Sequence, residues 1–449
     1  MKLNSLLISL VAACGGSAFA DYALVNTGSS TLAVFGTIDI AYGTVSNSLP
    51  PNQYSPTSIM PWVTSGIKDY GSVSGRQTDF FNGGLSTSNV GIKGSTEIES
   101  GSKLFFKFDS ALNPISMKLT SQAHAEAMNG GLKTPTTAYA TSSLNGEIFA
   151  RETYFGISNP KWGNLTIGRN NNFILDVMNN YAPLHKANLL TPFGNGVLGG
   201  GGGISENARL ENSFKYTNNI DNYNYGFEYT SGNGGGTLLG LGRSGQYGGK
   251  GGAINIGYSD AMFSAQLVGE SFKSVLKTAP ASALTTGNNP LHYNSISLTA
   301  YDQNAALLAL KYHPNDKIAF QAGFEHMRLS SADSNLSSIT SIYNESVAAG
   351  GVSNYSGSEQ NFTVKYVGSD YNFSSNWNAG ISLARVKMGT WTSFLGGDLN
   401  SHTILVTNHY NKETDIYAGA MNTKYSGLAF ATNYINSETV YAIGLRYKF

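Results

Sequence analysis

Apolar and polar residues alternate along this chain with a period of two, over and over, and that pattern limits the fold more than any other feature. At the C-terminus, Phe449, Tyr447, Leu445, Ile443 and Tyr441 share one parity, while Lys448, Arg446, Gly444 and Ala442 share the other. Leu32, Val34, Gly36, Ile38, Ile40 and Tyr42 alternate with Thr37, Asp39 and Ala41. The same alternation runs through Tyr223 to Tyr229, Leu210 to Tyr216 and Ile318 to Phe324, with Phe35 and Phe105 as large residues on the polar parity. A period of two is the signature of a β-strand with two different faces.

The connections between these stretches come in two lengths. Short ones with turn chemistry are centred on 99–102, 159–164, 218–222, 259–262, 314–316 and 411–413. Long ones rich in Gly, Ser, Asn and Thr cover about 45–86, 113–146, 171–206, 231–251, 272–302 and 329–358. Short and long alternate, as expected of a transmembrane barrel with tight turns on one side and long loops on the other. The pattern predicts sixteen strands, at about 31–44, 87–98, 103–112, 147–158, 164–170, 207–217, 223–230, 252–258, 263–271, 303–313, 317–328, 359–368, 375–388, 401–410, 414–423 and 438–449. Sixteen strands leave a water-filled channel rather than a side-chain-filled interior.

The N-terminus reads as an export signal: Lys2, an apolar stretch from Leu6 to Ala13, and Ala18-Phe19-Ala20 as the cleavage site. This divides the chain into a cleaved segment, 1–20, and a barrel, 21–449. A competing reading takes Val11-Ala12-Ala13-Cys14 as a lipidation box. Cys14 is the only cysteine, so cleavage after Ala20 leaves no thiol for a disulfide or a metal site. After residue 20 no apolar run approaches the roughly 18 residues that a helical span requires. An exported chain without such a helix crosses a bilayer only as a closed barrel.

Composition agrees. Of 449 residues, 53 are glycine, 26 tyrosine and only 12% charged, against about a quarter charged in a soluble chain. Lys+Arg and Asp+Glu stand at 28 each, which gives no basic excess for nucleic acid.

Five stretches in order resemble the trimeric general porins of Gram-negative bacteria, of the beta-proteobacterial type: STLAVFGTIDIAYG (30–43), SNVGIKGSTEIESGSKLFFKFDSALN (88–113), FARETYFGISNPKWGNLTIGRN (149–170), ARLENSFKY (208–216) and the terminal YAIGLRYKF. The resemblance spans the mature chain. It implies a homotrimer in the outer membrane, in contact with its lipid and lipopolysaccharide, that passes ions and small hydrophilic solutes passively, without a cofactor and without catalysis. It also implies that the third long loop, 171–206, folds into the lumen. Lys93, Arg151, Arg169 and Arg209 match the family's basic wall, and Lys107 is counted with them. Asp176 matches a loop aspartate, and Glu206 is the loop's other acid. Tyr447 and Phe449 match the terminal signal that barrels present to their assembly machinery.

The chain departs from the family at Thr37 and Asn89, where basic residues are common, and at Thr191-Pro192-Phe193-Gly194, where a glutamate is usual. The loop therefore carries two acids against Lys186 and His185, so weak or anion-leaning selectivity is expected. Arg151 and Arg169 share the parity of Phe155 and Ile167, so a regular strand would aim them at lipid. A bulge that flips the register, a place beyond the apolar band, or a rim arginine with its head in water would each resolve this. A substrate-specific anion channel and a structural or adhesive surface barrel are the alternative functions.

Other motifs carry no chemistry. Gly194-Asn195-Gly196-Val197-Leu198-Gly199 spells a dinucleotide fingerprint, but four more glycines follow it and no helix is expected to start there. GGKGG at 248–252 lacks the spacing of a phosphate loop. His402 and His409 lie on opposite parities of one strand and cannot share a metal, and no Ser–His pair has an evident orienting third group.

Overall fold

The computed structural model describes residues 22–46, 76–115, 117, 119, 149, 151–187, 189–192, 209–232, 250–273, 301–331, 360–389, 397–426 and 437–449. Eighteen strand segments follow in chain order: β1 Tyr22–Asn26, β2 Ser30–Ser46, β3 Arg76–Asn82, β4 Asn89–Glu97, β5 Lys103–Ala111, β6 Thr153–Asn159, β7 Gly163–Asn171, β8 Arg209–Ile220, β9 Tyr223–Thr230, β10 Gly251–Ser259, β11 Phe263–Phe272, β12 Tyr301–Asn315, β13 Ile318–Ser331, β14 Gln360–Asn372, β15 Trp377–Met388, β16 Gly397–His409, β17 Thr414–Ser426 and β18 Ser437–Lys448. Helix α1, Phe173–Tyr181, and a 3-10 turn, Pro183–Lys186, lie between β7 and β8.

From β4 to β18 each strand is antiparallel to the next, and β18 returns to β2, so the sheet closes on itself. The eighteen segments fill sixteen positions. Residues 30–37 of β2 pair with β4 and residues 40–46 with β3, so β3 and β4 are one interrupted strand. On the other side of β2, β18 pairs with residues 37–46 and β1 with residues 31–34, so these two also share one row. Phe449 bridges them, exchanging both backbone hydrogen bonds with Gly36 (2.7 and 3.0 Å).

All sixteen expected strands are present. Two segments fall where only loop or tail was expected: β3 inside 45–86 and β1 ahead of the first strand. Both are short, and both extend rows that other segments occupy. The fourth expected segment, 147–158, begins as a strand only at Thr153. Pro314, expected in a turn, is the last-but-one residue of β12.

The two faces are as the alternation requires. Phe155, Ile167, Ile254, Ile381, Ile404 and Tyr441 are more than half exposed on the outside. Asp39, Glu228, Glu325, Thr403, Tyr417 and Glu438 are buried on the inside. Tyr447 and Phe449 are on the outer face with their rings stacked at 6.0 Å. In a protein that faces acyl chains, the exposed set is the lipid-contacting surface.

Candidate functional site

One side of the barrel interior is filled by the segment after β7. Helix α1 starts at Asn172, whose side chain accepts from the Leu175 N–H (2.7 Å). Its first turn rests on two wall carboxylates. Glu228 accepts from the Phe173 N–H at 3.0 Å, and Glu270 accepts from Asn172 Nδ2 at 3.2 Å. A carboxylate at a helix N-terminus meets unpaired N–H groups and the positive end of the helix dipole, so the wall holds the helix electrostatically as well as by packing. Phe173, Ile174, Leu175, Val177 and Met178 are buried. Helix α1 lies against β10 to β13, and the 3-10 turn lies against β14 and β15.

The far end of the segment reaches the seam where the barrel closes. Leu184, Ala187, Leu189 and Leu190 join Ala41, Val45, Leu85, Leu405, Tyr417, Met421, Val440 and Ala442 in one apolar cluster inside the barrel. The Leu189 N–H donates to the Gly84 carbonyl at 3.0 Å. Asp39 of β2 holds the 84–86 stretch in place. Its two carboxylate oxygens accept from the backbone of Gly84 (3.0 Å), Leu85 (2.9 Å) and Ser86 (2.7 Å) and from the Tyr417 hydroxyl (2.5 Å).

The wall opposite this filling carries the cations. Lys93 and Lys107 are cross-strand partners on β4 and β5, and both ammonium groups lie over the inward Phe35 ring, at 5.4 and 5.6 Å. Lys107 also pairs with Glu152 (2.5 Å). Arg151 pairs with Asp109 (3.1 Å), which accepts from Asn89 Nδ2 as well (2.8 Å). Arg169 pairs with Glu211 (2.6 Å). Arg209 opens β8 beside these groups, and its buried Nε has no hydrogen-bond partner among the described residues. Phe35, read as an exception to the parity, is thus an aromatic shelf for two lysines.

Both arginines in doubt turn inward. At Gly168, with φ at +140°, the pairing of β7 with β8 shifts register, and this local irregularity aims Arg169 at Glu211. Such a φ favours glycine because it lacks a Cβ. Arg151 precedes the first residue of β6 and is free of its parity. Its backbone and its side chain both bond to Asp109.

Asp176 sits on α1, where its carboxylate pairs with Lys215 of β8. Lys215 also donates to the Asn171 carbonyl (2.8 Å) and lies 4.3 Å from the Phe173 ring centre. Sequence reading did not single out Lys215, Glu152, Glu211 or Asp109 as partners. Lys215 and Glu211 are on the inward parity and Glu152 follows Arg151, so parity was the available signal. Glu206 and the glycine run at 194–199 lie outside the described residues, as do the side chains of His185 and Lys186. His402 faces outward, and His409 faces inward beside Asp415 (2.6 Å), as their parities require.

A closed antiparallel barrel with an apolar outside, a charged inside and an inward-folded segment after β7 is a transmembrane channel. The Gram-negative porin family model matches residues 7–428, and the chain belongs to that family: it is an outer-membrane channel for passive diffusion. Among solved structures, the chain is similar to the anion-selective porin from Comamonas acidovorans, with 15% identity and a TM-score of 0.60 over 94% of this chain and 100% of that one. It is also similar to OmpF of Salmonella typhi in complex with daunomycin, with 13% identity and a TM-score of 0.56 over 95% and 100%. The outer membrane channel DcaP of Acinetobacter baumannii matches with 13% identity and a TM-score of 0.54 over 95% and 100%. At these identities the likeness is one of fold. No curated protein sequence matches the chain.

Proposed function

We propose that this porin passes small anions and anionic hydrophilic solutes in preference to cations. The constriction in this reading lies between the 172–192 segment and the wall of Lys93, Lys107, Arg151, Arg169 and Arg209. The observation that carries it is a charge imbalance across that gap. The segment's described acid, Asp176, is engaged by Lys215, while on the wall five cations, Lys93, Lys107, Arg151, Arg169 and Arg209, meet three acids, Glu152, Asp109 and Glu211, and the buried Nε of Arg209 has no hydrogen-bond partner among the described residues. Fixed charges at a narrow point select ions by sign. The anion-selective porin among the solved relatives is compatible with this. Solutes cross unchanged, so no reacting group is assigned.

The assembled form in this proposal is a homotrimer embedded in outer-membrane lipid and lipopolysaccharide. Residues 1–20 are an export signal removed after Ala20, and the strand ending at Tyr447 and Phe449 is the one read by the barrel-assembly machinery. The test is single-channel recording in a planar bilayer under a KCl gradient. Openings with a reversal potential on the chloride side are expected. A clear potassium preference would overturn the selectivity, and folded protein without conductance would favour a structural surface role.

A further inference from the structure

Near the end of β18 that joins residues 427–436, one carboxylate inside the barrel differs from its fellows. Glu438, the second residue of β18, is fully buried on the inward face, and neither of its carboxylate oxygens has a hydrogen-bond partner among the described residues. Other buried inward acids are held by donors. Glu228 accepts from the Phe173 N–H, Glu270 from Gln303 Nε2 (2.7 Å), Asp370 from Gln321 Nε2 (2.6 Å) and Asp415 from Arg446 Nε (2.9 Å). The described inward residues nearest to Glu438 in register, Thr423, Met421, Val440 and Val45, carry no charge.

The neighbouring strands supply oxygen. Thr423 of β17 is the cross-strand partner of Glu438, and Ser401 of β16 is the partner of Thr423. Their hydroxyls are buried and lie 3.1 Å apart. Thr403 follows two residues along β16 on the same face, and its buried hydroxyl oxygen has no hydrogen-bond partner among the described residues. Side chains paired across neighbouring strands are about 5 Å apart at Cβ. One carboxylate and three hydroxyls therefore line a single patch of the inner wall.

A bare ionised carboxylate in a dry interior is strongly disfavoured. Protonation removes the charge but adds an O–H donor that itself needs an acceptor. A cation answers both carboxylate oxygens and draws on the hydroxyl lone pairs as well. One carboxylate balances one positive charge, and hydroxyl oxygens are hard, neutral ligands, which favours a singly charged ion over calcium with its roughly six to eight oxygens. We propose that Glu438, with Thr423, Ser401 and Thr403, binds a monovalent alkali cation as a structural ion that ties β16, β17 and β18 together beside the barrel seam. The long connections mark this end of the barrel as the external one, so the surrounding medium supplies the ion. The site is independent of which ions the channel passes.

The test is hydrogen-exchange mass spectrometry of the full folded chain in detergent, in NaCl and in choline chloride at equal ionic strength. Exchange through local opening slows by one plus the ratio of ion concentration to dissociation constant, about tenfold when sodium stands at roughly ten times that constant. Peptides covering 421–424 and 437–440 are expected to show this saturable slowing. Met262 and Phe263, in the turn between β10 and β11, should show none. Glu438→Gln keeps the shape of the side chain and should abolish the sodium dependence. Thr403→Val should raise the sodium needed for half-protection at least threefold, and this shift carries the test if Glu438→Gln fails to fold. The proposal is overturned if wild-type exchange is the same in both salts, if Glu438→Gln keeps the sodium dependence, or if calcium protects at a lower concentration than sodium.

Discussion

The Tyr417 hydroxyl of β17 donates to the Asp39 carboxylate of β2 at 2.5 Å, passing over the whole width of β18. It can do so because Gly444 lies beneath it on β18, where any Cβ would collide with the tyrosine ring and hydroxyl. Asp39 in turn orders residues 84–86, and Gly84 receives the Leu189 N–H from the far end of the inward segment. Barrel closure and the anchoring of that segment thus depend on one carboxylate.

Tyr417→Phe keeps the ring and removes the donor to Asp39. A hydrogen bond to a charged group contributes about 1.5–3 kcal/mol. We expect the amide of Leu189 to exchange at least fivefold faster, read by hydrogen-exchange mass spectrometry, and the open-channel current to become noisier. Unchanged exchange at residues 183–190 would show that the clasp does not hold the segment.

Lys215→Met leaves Asp176 and Glu228 without their common cation. Breaking a buried pair from one side costs roughly 3–5 kcal/mol, and about 2–3 kcal/mol is the better figure here because Asp176 is 37% exposed. Urea unfolding of the protein in lipid vesicles measures the loss. The companion change Asp176→Asn should cost less, since Glu228 still faces Lys215 at 3.7 Å.

Arg209→Gln removes the wall cation whose Nε has no hydrogen-bond partner among the described residues. Its chloride-over-potassium permeability ratio should fall at least twofold with little change in stability. Arg169→Gln should lower both, because it removes the cation that pairs with Glu211 at 2.6 Å. Reversal potentials under a KCl gradient separate the two.

In the turn between β10 and β11, Asp260 accepts from the N–H groups of Met262 and Phe263 (both 2.8 Å) and from the Tyr258 hydroxyl (2.9 Å). These donors hold its carboxyl below the ordinary aspartate range. A depressed folded-state pKa means that the stabilisation is complete above the unfolded value, about 3.9. It is lost as pH falls through the lower folded value. Protection of the Met262 amide should follow that course, and Asp260→Ala should remove its pH dependence.

The strands were legible because lipid on one side and water on the other impose a period of two that no other force overrides. The sixteen positions follow from it, as does the inward direction of Lys93, Lys107 and Arg209. Arg151 and Arg169 were not legible, since one irregularity at Gly168 and one late strand start at Thr153 undo the parity rule locally. Nor was the anchoring of the inward segment. Asp39 and Tyr417 are 378 positions apart, and local pattern carries no information about which inward residues meet across a lumen. Helix α1 was hidden for a related reason: its apolar face is matched to a barrel interior read in advance as polar.

The row shared by β18, Phe449 and β1 has a consequence for assembly. Residues 439–448 find their partners at residues 37–46, nearly the whole chain away. Local encounters can build hairpins from β4 onward, but this rung needs both extremes of the chain together. Loop closure over such a separation is slow and entropically costly. Until it happens, β2 and β18 present bare edges that can pair with any strand nearby. The last pairing to form is thus the one that turns a sticky sheet into a sealed ring, and timing at that seam decides between a folded porin and an aggregate.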